Sequence, residues 1–118
     1  MPLNIDVNEA KPGTARVSLT GSLDSETAPQ LEKSLAALNS NVIAFDMTNL
    51  AFISSAGLRV IFAAAKRQRA KGGNIGMSSL RPGVRKVFEI VKALPDMNVF
   101  ASEKEMDEYL ARFQRPEE

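Results

Sequence analysis

The chain changes from strand to helix within the stretch Phe52-Ile53-Ser54-Ser55-Ala56-Gly57-Leu58-Arg59. This stretch lies between an apolar strand candidate, Val42 to Met47, and a long helical run that ends near Lys71. The first turn of a helix has unpaired backbone N–H groups and the positive end of the helix dipole, so it favours anionic groups. A serine at such a position can cap the helix, bind a phosphate or receive one.

The residues before this stretch predict a hairpin, a helix and a strand. Apolar and polar residues alternate over residues 3–8 and 15–20, on either side of the turn Lys11-Pro12-Gly13, which is typical of two paired strands. A helix is predicted over residues 25–39, capped by Asp24 or Ser25, with Pro29 in its first turn. The apolar run 42–45 is typical of a central strand covered on both faces, and residues 46–49 are expected to end it.

The residues after the serine stretch predict two more strands and two more helices. A short strand is expected at 75–77, a helix opening at Arg81-Pro82-Gly83 and a last strand at Val99–Phe100. Ser102 and Glu105 form a capping box for a final helix. Its predicted apolar stripe consists of Met106, Tyr109, Leu110 and Phe113. The order ββαβαβαβα predicts one α/β domain over residues 1–118, with a mixed β-sheet and a frayed tail at 114–118.

Composition excludes several classes of function. Fifteen basic and fourteen acidic side chains give a net charge of +1, which argues against a nucleic-acid or membrane partner. Histidine and cysteine are absent, so a Ser-His-Asp hydrolase and a sulfur metal site are impossible, and we expect no metal, no cofactor and no enzyme activity. The first residues are not a signal peptide, and no apolar run approaches the roughly 18 residues of a membrane helix. We therefore expect a cytoplasmic protein.

A helical wheel suggests which side of the helix after Ser54 faces outward. Leu58 and Ile61 group with Ala65 and are expected to face the sheet, while Ser55 lies at the border of that stripe. The residues predicted to point outward are Ala56, Arg59, Val60 and Ala63. Small apolar residues around a serine and an arginine favour a docking surface for another protein.

Physical chemistry alone leaves four roles for the two serines. Capping needs the fewest assumptions, with Ser54 as cap and Ser55 in the first turn. Phosphorylation of Ser55 would place an anion at the favourable helix end, with Arg59 able to pair with it. A nucleophilic serine lacks a base, since no Ser-x-x-Lys pattern follows either serine. Phosphate or nucleotide binding lacks a glycine-rich loop at the helix start.

The same residues resemble a known family, the STAS domain of bacterial anti-sigma factor antagonists. The resemblance rests on the run from Val42 to Arg59 with Ser54-Ser55-Ala56-Gly57-Leu58 at its centre. It extends to Leu19-Thr20-Gly21-Ser22-Leu23-Asp24 and to Leu80-Arg81-Pro82-Gly83-Val84. Length and element order agree as well, so the resemblance covers nearly the whole chain and implies the STAS fold.

The resemblance implies a partner-switching protein. In such proteins the serine matching Ser55 is phosphorylated by a cognate anti-sigma factor, an ATP-dependent serine kinase with a histidine-kinase-like ATPase fold. The unphosphorylated form binds and sequesters that kinase, phosphorylation breaks the complex, and a PP2C-type phosphatase restores it. Many members have aspartate where this chain has Ser54, and motif alignment favours Ser55 as the acceptor. The implied partner-binding residues are Asp24, Ser54, Ala56, Gly57, Arg59 and Val60.

Two other functions stay open at the level of sequence. One is a STAS subunit that docks on the ATPase of an ABC transporter without phosphorylation. The other is a phosphate- or nucleotide-binding protein. The partner recovered with the purified chain separates the first from partner switching, and a ligand-induced melting shift tests the second.

Overall fold

A mixed four-stranded sheet organises the described part of the chain. The computed structural model describes residues 2–94 and 100–114. The predicted hairpin is present as β1 (Leu3–Lys11) and β2 (Thr14–Leu23), which are antiparallel. Strand β3 (Val42–Ile53) runs parallel to β2, and β4 (Asn74–Ser78) runs parallel to β3. The order across the sheet is β1-β2-β3-β4, which confirms the predicted mixed sheet and α/β class.

In the described residues, four helices connect or follow these strands. They are α1 (Ala28–Ala36), α2 (Ser55–Ala70), α3 (Pro82–Ala93) and α4 (Glu103–Ala111). The predicted proline at the start of α3 and the predicted serine cap of α4 are confirmed. Of the predicted last strand at Val99–Phe100, Val99 lies outside the described residues and Phe100 lies in a bend.

Among the described residues the core covers one face of the sheet, which corrects the prediction for β3. Ile43, Phe45 and Met47 are buried in one core cluster with residues of all four helices, as the alternation of a half-buried strand requires. The intervening Ala44 and Asp46 are only half-buried. Neighbouring strands place polar residues on this second face, so a short apolar run did not indicate coverage on both sides.

Strand β3 is also longer than predicted. Asp46 to Asn49 has the composition of a strand end, but the strand continues to Ile53. The pairing with β2 shifts its register between Ser18 and Thr20, opposite this segment. Within it, Asp46 accepts hydrogen bonds from the backbone N–H and the hydroxyl of Thr48. An irregularity of the β-bulge type absorbs the local turn preference, and pairing with β2 carries the strand on to the serines.

The start of α1 differs from what the sequence predicts, and Gln114 makes a tertiary contact. Helix α1 begins after Thr27 rather than after Asp24 or Ser25, because Asp24 accepts from the backbone N–H groups of Glu26 and Thr27 and stabilises a separate turn. Gln114 was assigned to the frayed tail. In the structure its side chain hydrogen-bonds to the backbone of Ile53, and residues 115–118 lie outside the described residues.

Asp46 supplies a test of the second face of the sheet. Hydrogen bonds from the side chain and backbone of Thr48, and then from Arg16, lower the pKa of Asp46. Its ionised form therefore stabilises the fold above the ordinary pKa of about 3.9, and this contribution is lost as the pH falls through the lowered pKa. We expect Asp46→Asn to lower the free energy of unfolding at pH 7, and the deficit to shrink in urea titrations near pH 3.

The control for this experiment is Asp6→Asn, which removes an exposed carboxylate on β1. It should change the free energy of unfolding little at either pH. A deficit of Asp46→Asn that is equal at both pH values would contradict the assignment.

Candidate functional site

The candidate site lies at the corner where β2 and β3 end side by side. Leu23 pairs with Ile53 in the last register of these two parallel strands. The backbone N–H of Ser54 donates to the carbonyl oxygen of Leu23 at 2.9 Å. Asp24 and Ser54 therefore follow adjacent strand ends, and the two halves of the sequence motif meet at one edge of the sheet.

Ser54 is the N-cap of α2, as predicted. Its backbone is extended, with φ −101° and ψ 175°, and its hydroxyl accepts from the backbone N–H of Gly57 at 3.4 Å. The residue is only 5% exposed. A cap of this kind stabilises a helix by about 1 kcal/mol. Ser54 thus has a complete structural role, and its hydroxyl is not directed to solvent.

Gly57 allows α2 to lie against the end of β2. A Cβ atom at this position would stand 2.6 Å from Cγ of Leu23 and 3.0 Å from the carbonyl oxygen of Leu23. The first distance is too short for a side chain and the second is tight, and the carbonyl belongs to a paired strand that cannot move freely. The glycine of the motif therefore has a packing role, and it is buried rather than part of a docking surface.

Ser55 is enclosed by helix α4. It is 0% exposed, which overturns the expectation from the helical wheel that it borders an open face. Its backbone N–H donates to Oδ1 of Asp107 at 2.8 Å, and its hydroxyl donates to Oε1 of Glu103 at 3.4 Å. Both donors of Ser55 thus face carboxylates at the positive end of α2, where the helix dipole favours negative charge.

Arg59 lies beside the same carboxylates. Its guanidinium Nη1 is 3.0 Å from Oε2 of Glu103, and both side chains are about half exposed. The expected proximity of Arg59 to Ser55 is therefore present, but in this state the arginine pairs with Glu103. Among the described residues around Ser55, two carboxylates face one arginine, so these residues already give the unmodified site excess negative charge.

The predicted docking face is smaller than the helical wheel indicated. Arg59 and Ala63 are exposed and Ala56 is half-buried, whereas Val60 is only 8% exposed. The wheel of a single helix does not include α1 and α4, both of which contact α2. Asp24 is half-buried and is held by the backbone of Glu26 and the hydroxyl of Thr27.

Three residues at the site were not identified from the sequence: Glu103, Asp107 and Gln114. The first two are four positions apart in α4, so their spacing alone places two carboxylates on one face of a helix. Nothing local indicates what that face contacts. Gln114 holds the segment that follows α4. Its amide nitrogen donates to the carbonyl oxygen of Ile53 at 2.9 Å, and its amide oxygen accepts from the backbone N–H of Ile53 at 2.7 Å.

Among residues 2–94 and 100–114, no cluster of three or more histidine, cysteine, aspartate or glutamate side chains could hold a metal ion. Within the same ranges, none of the helices has the length and hydropathy to cross a bilayer.

Comparison with known proteins identifies a family for most of the chain. A family model described as STAS domain matches residues 7–106. BtrV of Bordetella bronchiseptica, a predicted anti-sigma factor antagonist, is 43% identical over 75 residues. That match covers 61% of this chain and 65% of BtrV, so the chain spans just under two thirds of this relative.

Solved structures share the fold. The Bacillus cell fate determinant SpoIIAA in its phosphorylated form superposes with a TM-score of 0.65 at 20% identity, over 74% of this chain and 82% of SpoIIAA. An anti-sigma factor antagonist from Mycobacterium paratuberculosis gives a TM-score of 0.66 at 21% identity, over 90% and 94% of the two chains. Identities this low concern the fold alone, and they agree with the fold expected from the sequence.

Proposed function

The chain belongs to the STAS domain family, and from this premise we propose that it is an anti-sigma factor antagonist that acts by partner switching. In its unphosphorylated form it binds and sequesters a cognate anti-sigma factor. That partner is an ATP-dependent serine kinase, which phosphorylates Ser55 and is thereby released. A PP2C-type phosphatase returns the chain to its binding form. In this cycle the chain is a binding partner and a substrate rather than an enzyme.

The observation that carries the proposal is the position of Ser55. It begins α2 at the corner where Leu23 and Ile53 end two parallel strands, and Asp24 of the second motif half follows the neighbouring strand. The relative BtrV, a predicted anti-sigma factor antagonist, supports the same function. No observation favours docking on an ABC-transporter ATPase or nucleotide binding over this proposal.

Phosphorylation here is an ordinary phosphoryl transfer. The Oγ atom of Ser55 forms a bond to the γ-phosphorus of ATP as the bond to ADP breaks, and the hydroxyl proton passes to a base of the kinase. The phosphatase reverses the result when water attacks the phosphorus, which releases inorganic phosphate and regenerates the serine hydroxyl. Neither step requires a cofactor of this chain.

The charge of the phosphate explains how binding ends. Phosphoserine adds roughly 1.5 to 2 negative charges at neutral pH. At an interface that is partly apolar, such a charge carries a desolvation cost of several kcal/mol unless the partner supplies matching cations.

We assign direct partner contacts to Ala56, Arg59 and Asp24, which are at least partly accessible, while Ser54, Gly57 and Val60 shape the surface from beneath.

The assignment of the acceptor is tested by phosphate uptake. The chain is used to recover its ATPase partner from a lysate of the source organism, and the purified pair is incubated with ATP. Wild-type chain should take up one phosphate on Ser55, and Ser55→Ala should take up none. Ser54→Ala should still take up one phosphate, because removal of the Ser54 hydroxyl removes only the cap of α2.

Two results would count against the proposal. Stoichiometric phosphate uptake by Ser55→Ala would mean that the acceptor is another residue. Recovery of an ABC-transporter ATPase, with no phosphate uptake by wild-type chain, would favour the docking subunit instead.

A further inference from the structure

Helix α4 and a phosphate on Ser55 compete for the same place. Asp107 accepts a hydrogen bond from the backbone N–H of Ser55 at 2.8 Å, and Glu103 accepts one from the hydroxyl of Ser55 at 3.4 Å. We infer that α4 is a built-in cover over Ser55, whose two carboxylates occupy the phosphate position in the unmodified chain and must leave it when Ser55 is phosphorylated. The inference rests on the proposed function, since it concerns the regulation of that same serine.

Access is the first reason. The kinase must bring the γ-phosphate of ATP to Oγ of Ser55, but this residue has no exposed surface while α4 is in place. An in-line attack needs free space on the side of the oxygen where the phosphorus arrives. The carboxylate of Glu103 lies within hydrogen-bond distance of the Ser55 hydroxyl and occupies part of that space. Phosphorylation therefore takes place from a state in which this part of α4 has moved away.

Charge is the second reason. In the unmodified chain the hydroxyl of Ser55 is a donor to Glu103, so the contact is attractive. Phosphorylation removes that proton and puts a dianion beside Glu103 and Asp107, which makes the same contact repulsive. A phosphate is also the better acceptor for Arg59, which is now paired with Glu103. The modification reverses the sign of the interaction that holds the cover.

The cover is anchored independently of its carboxylates. Met106 and Leu110, on the part of α4 next to the two carboxylates, are 1% exposed and belong to the main core. Beyond the helix, Gln114 is bonded to Ile53, and the carbonyl of Phe113 lies where only a glycine, Gly83, leaves room for it. These contacts favour the closed state in the unmodified chain. They also imply that opening is local to the beginning of α4 and leaves the fold intact.

The absence of cysteine makes the cover measurable without any partner. Ser55→Cys introduces the one thiol of the chain, close in size to the serine, and its reaction with N-ethylmaleimide reports how often position 55 is exposed. The reagent is uncharged, and rates are compared at the high-pH plateau, where each thiol is fully ionised. We expect the folded Ser55→Cys chain to react about 100-fold more slowly than the same chain in urea, as for a site that opens locally.

Removal of the carboxylates should release the cover. Addition of Glu103→Gln and Asp107→Asn should raise the reaction rate about tenfold, since each change weakens a hydrogen bond to a charged group. The matched control adds Glu89→Gln and Glu108→Gln, which remove two exposed helix carboxylates, and it should leave the rate unchanged. A folded Ser55→Cys chain that reacts as fast as the unfolded one, or a rate raised equally by both pairs, overturns the inference.

Hydrogen exchange tests the charge reversal. Ser55→Asp should make the amides at the beginning of α4 exchange about tenfold faster, while the amides of β2 and β3 keep the protection of wild type. Unchanged protection of α4 would overturn the inference. Neither measurement uses the kinase, so a failure to find a kinase leaves these results standing. Conversely, a chain that is phosphorylated on Ser55 but shows no cover would contradict only this inference.

Discussion

Ser55→Asp is expected to lower the affinity of the chain for the proposed anti-sigma factor partner by at least about 100-fold, which corresponds to roughly 2.7 kcal/mol. The aspartate places a permanent negative charge at a position that is buried and already faces Glu103 and Asp107. Arg59 alone does not neutralise this charge together with those of Glu103 and Asp107, so the aspartate disturbs α4 and its charge is presented to the partner. Isothermal titration calorimetry with the purified anti-sigma factor measures the loss directly.

Two variants make this result specific. Ser55→Ala removes only the hydroxyl and should bind within about threefold of wild type, because the contact to Glu103 is long, at 3.4 Å. Ser40→Asp adds the same charge in the loop before β3, at the opposite end of the sheet, and should bind normally. If Ser55→Asp bound as tightly as these two variants, charge at Ser55 would not be the switch.

Gly57→Val is expected to lower the free energy of unfolding by about 3 kcal/mol, the upper part of the range for an overpacked core. The valine Cβ would meet Leu23 at 2.6 Å and its carbonyl oxygen at 3.0 Å, so α2 would have to move away from the end of β2. Because this contact positions Ser54 and Ser55, the same variant should also lose phosphate uptake. Urea denaturation followed by circular dichroism gives the change in stability.

The control is the same substitution on β4. At Gly76 a Cβ atom would meet nothing within 4 Å, and valine is favourable in strands, so Gly76→Val should change stability by less than about 1 kcal/mol. Equal losses for the two variants would show that the cost arises from replacing any glycine rather than from the contact with Leu23.

Local signals in the sequence were sufficient for several elements. The alternation in residues 3–8 and 15–20 predicted the hairpin, and the cap Ser54 and the predicted end near Lys71 delimited α2 correctly. Pro82 and Ser102 marked the first turns of α3 and α4. These features depend on backbone geometry and hydrogen bonds within a few residues, so the residues nearby contain the information.

Other features depended on partners far away along the chain. Asp46 to Asn49 has turn chemistry, but pairing with β2 kept the strand going. Val60 pointed outward on a wheel, yet neighbouring helices bury it. In each case a tertiary contact contributed more free energy than the local conformational preference, which is roughly a fraction of a kcal/mol per residue.

Ser55 shows the division most clearly. Its residue type, its place at the start of a helix and its motif were evident from the sequence, and they were enough to identify the family and to propose the acceptor. Its enclosure was not evident, because the carboxylates of Glu103 and Asp107 belong to a helix that begins 48 positions later in the chain. A helix start attracts negative charge from any direction, and only the packing of α4 through Met106 and Leu110 determines that two carboxylates supply it.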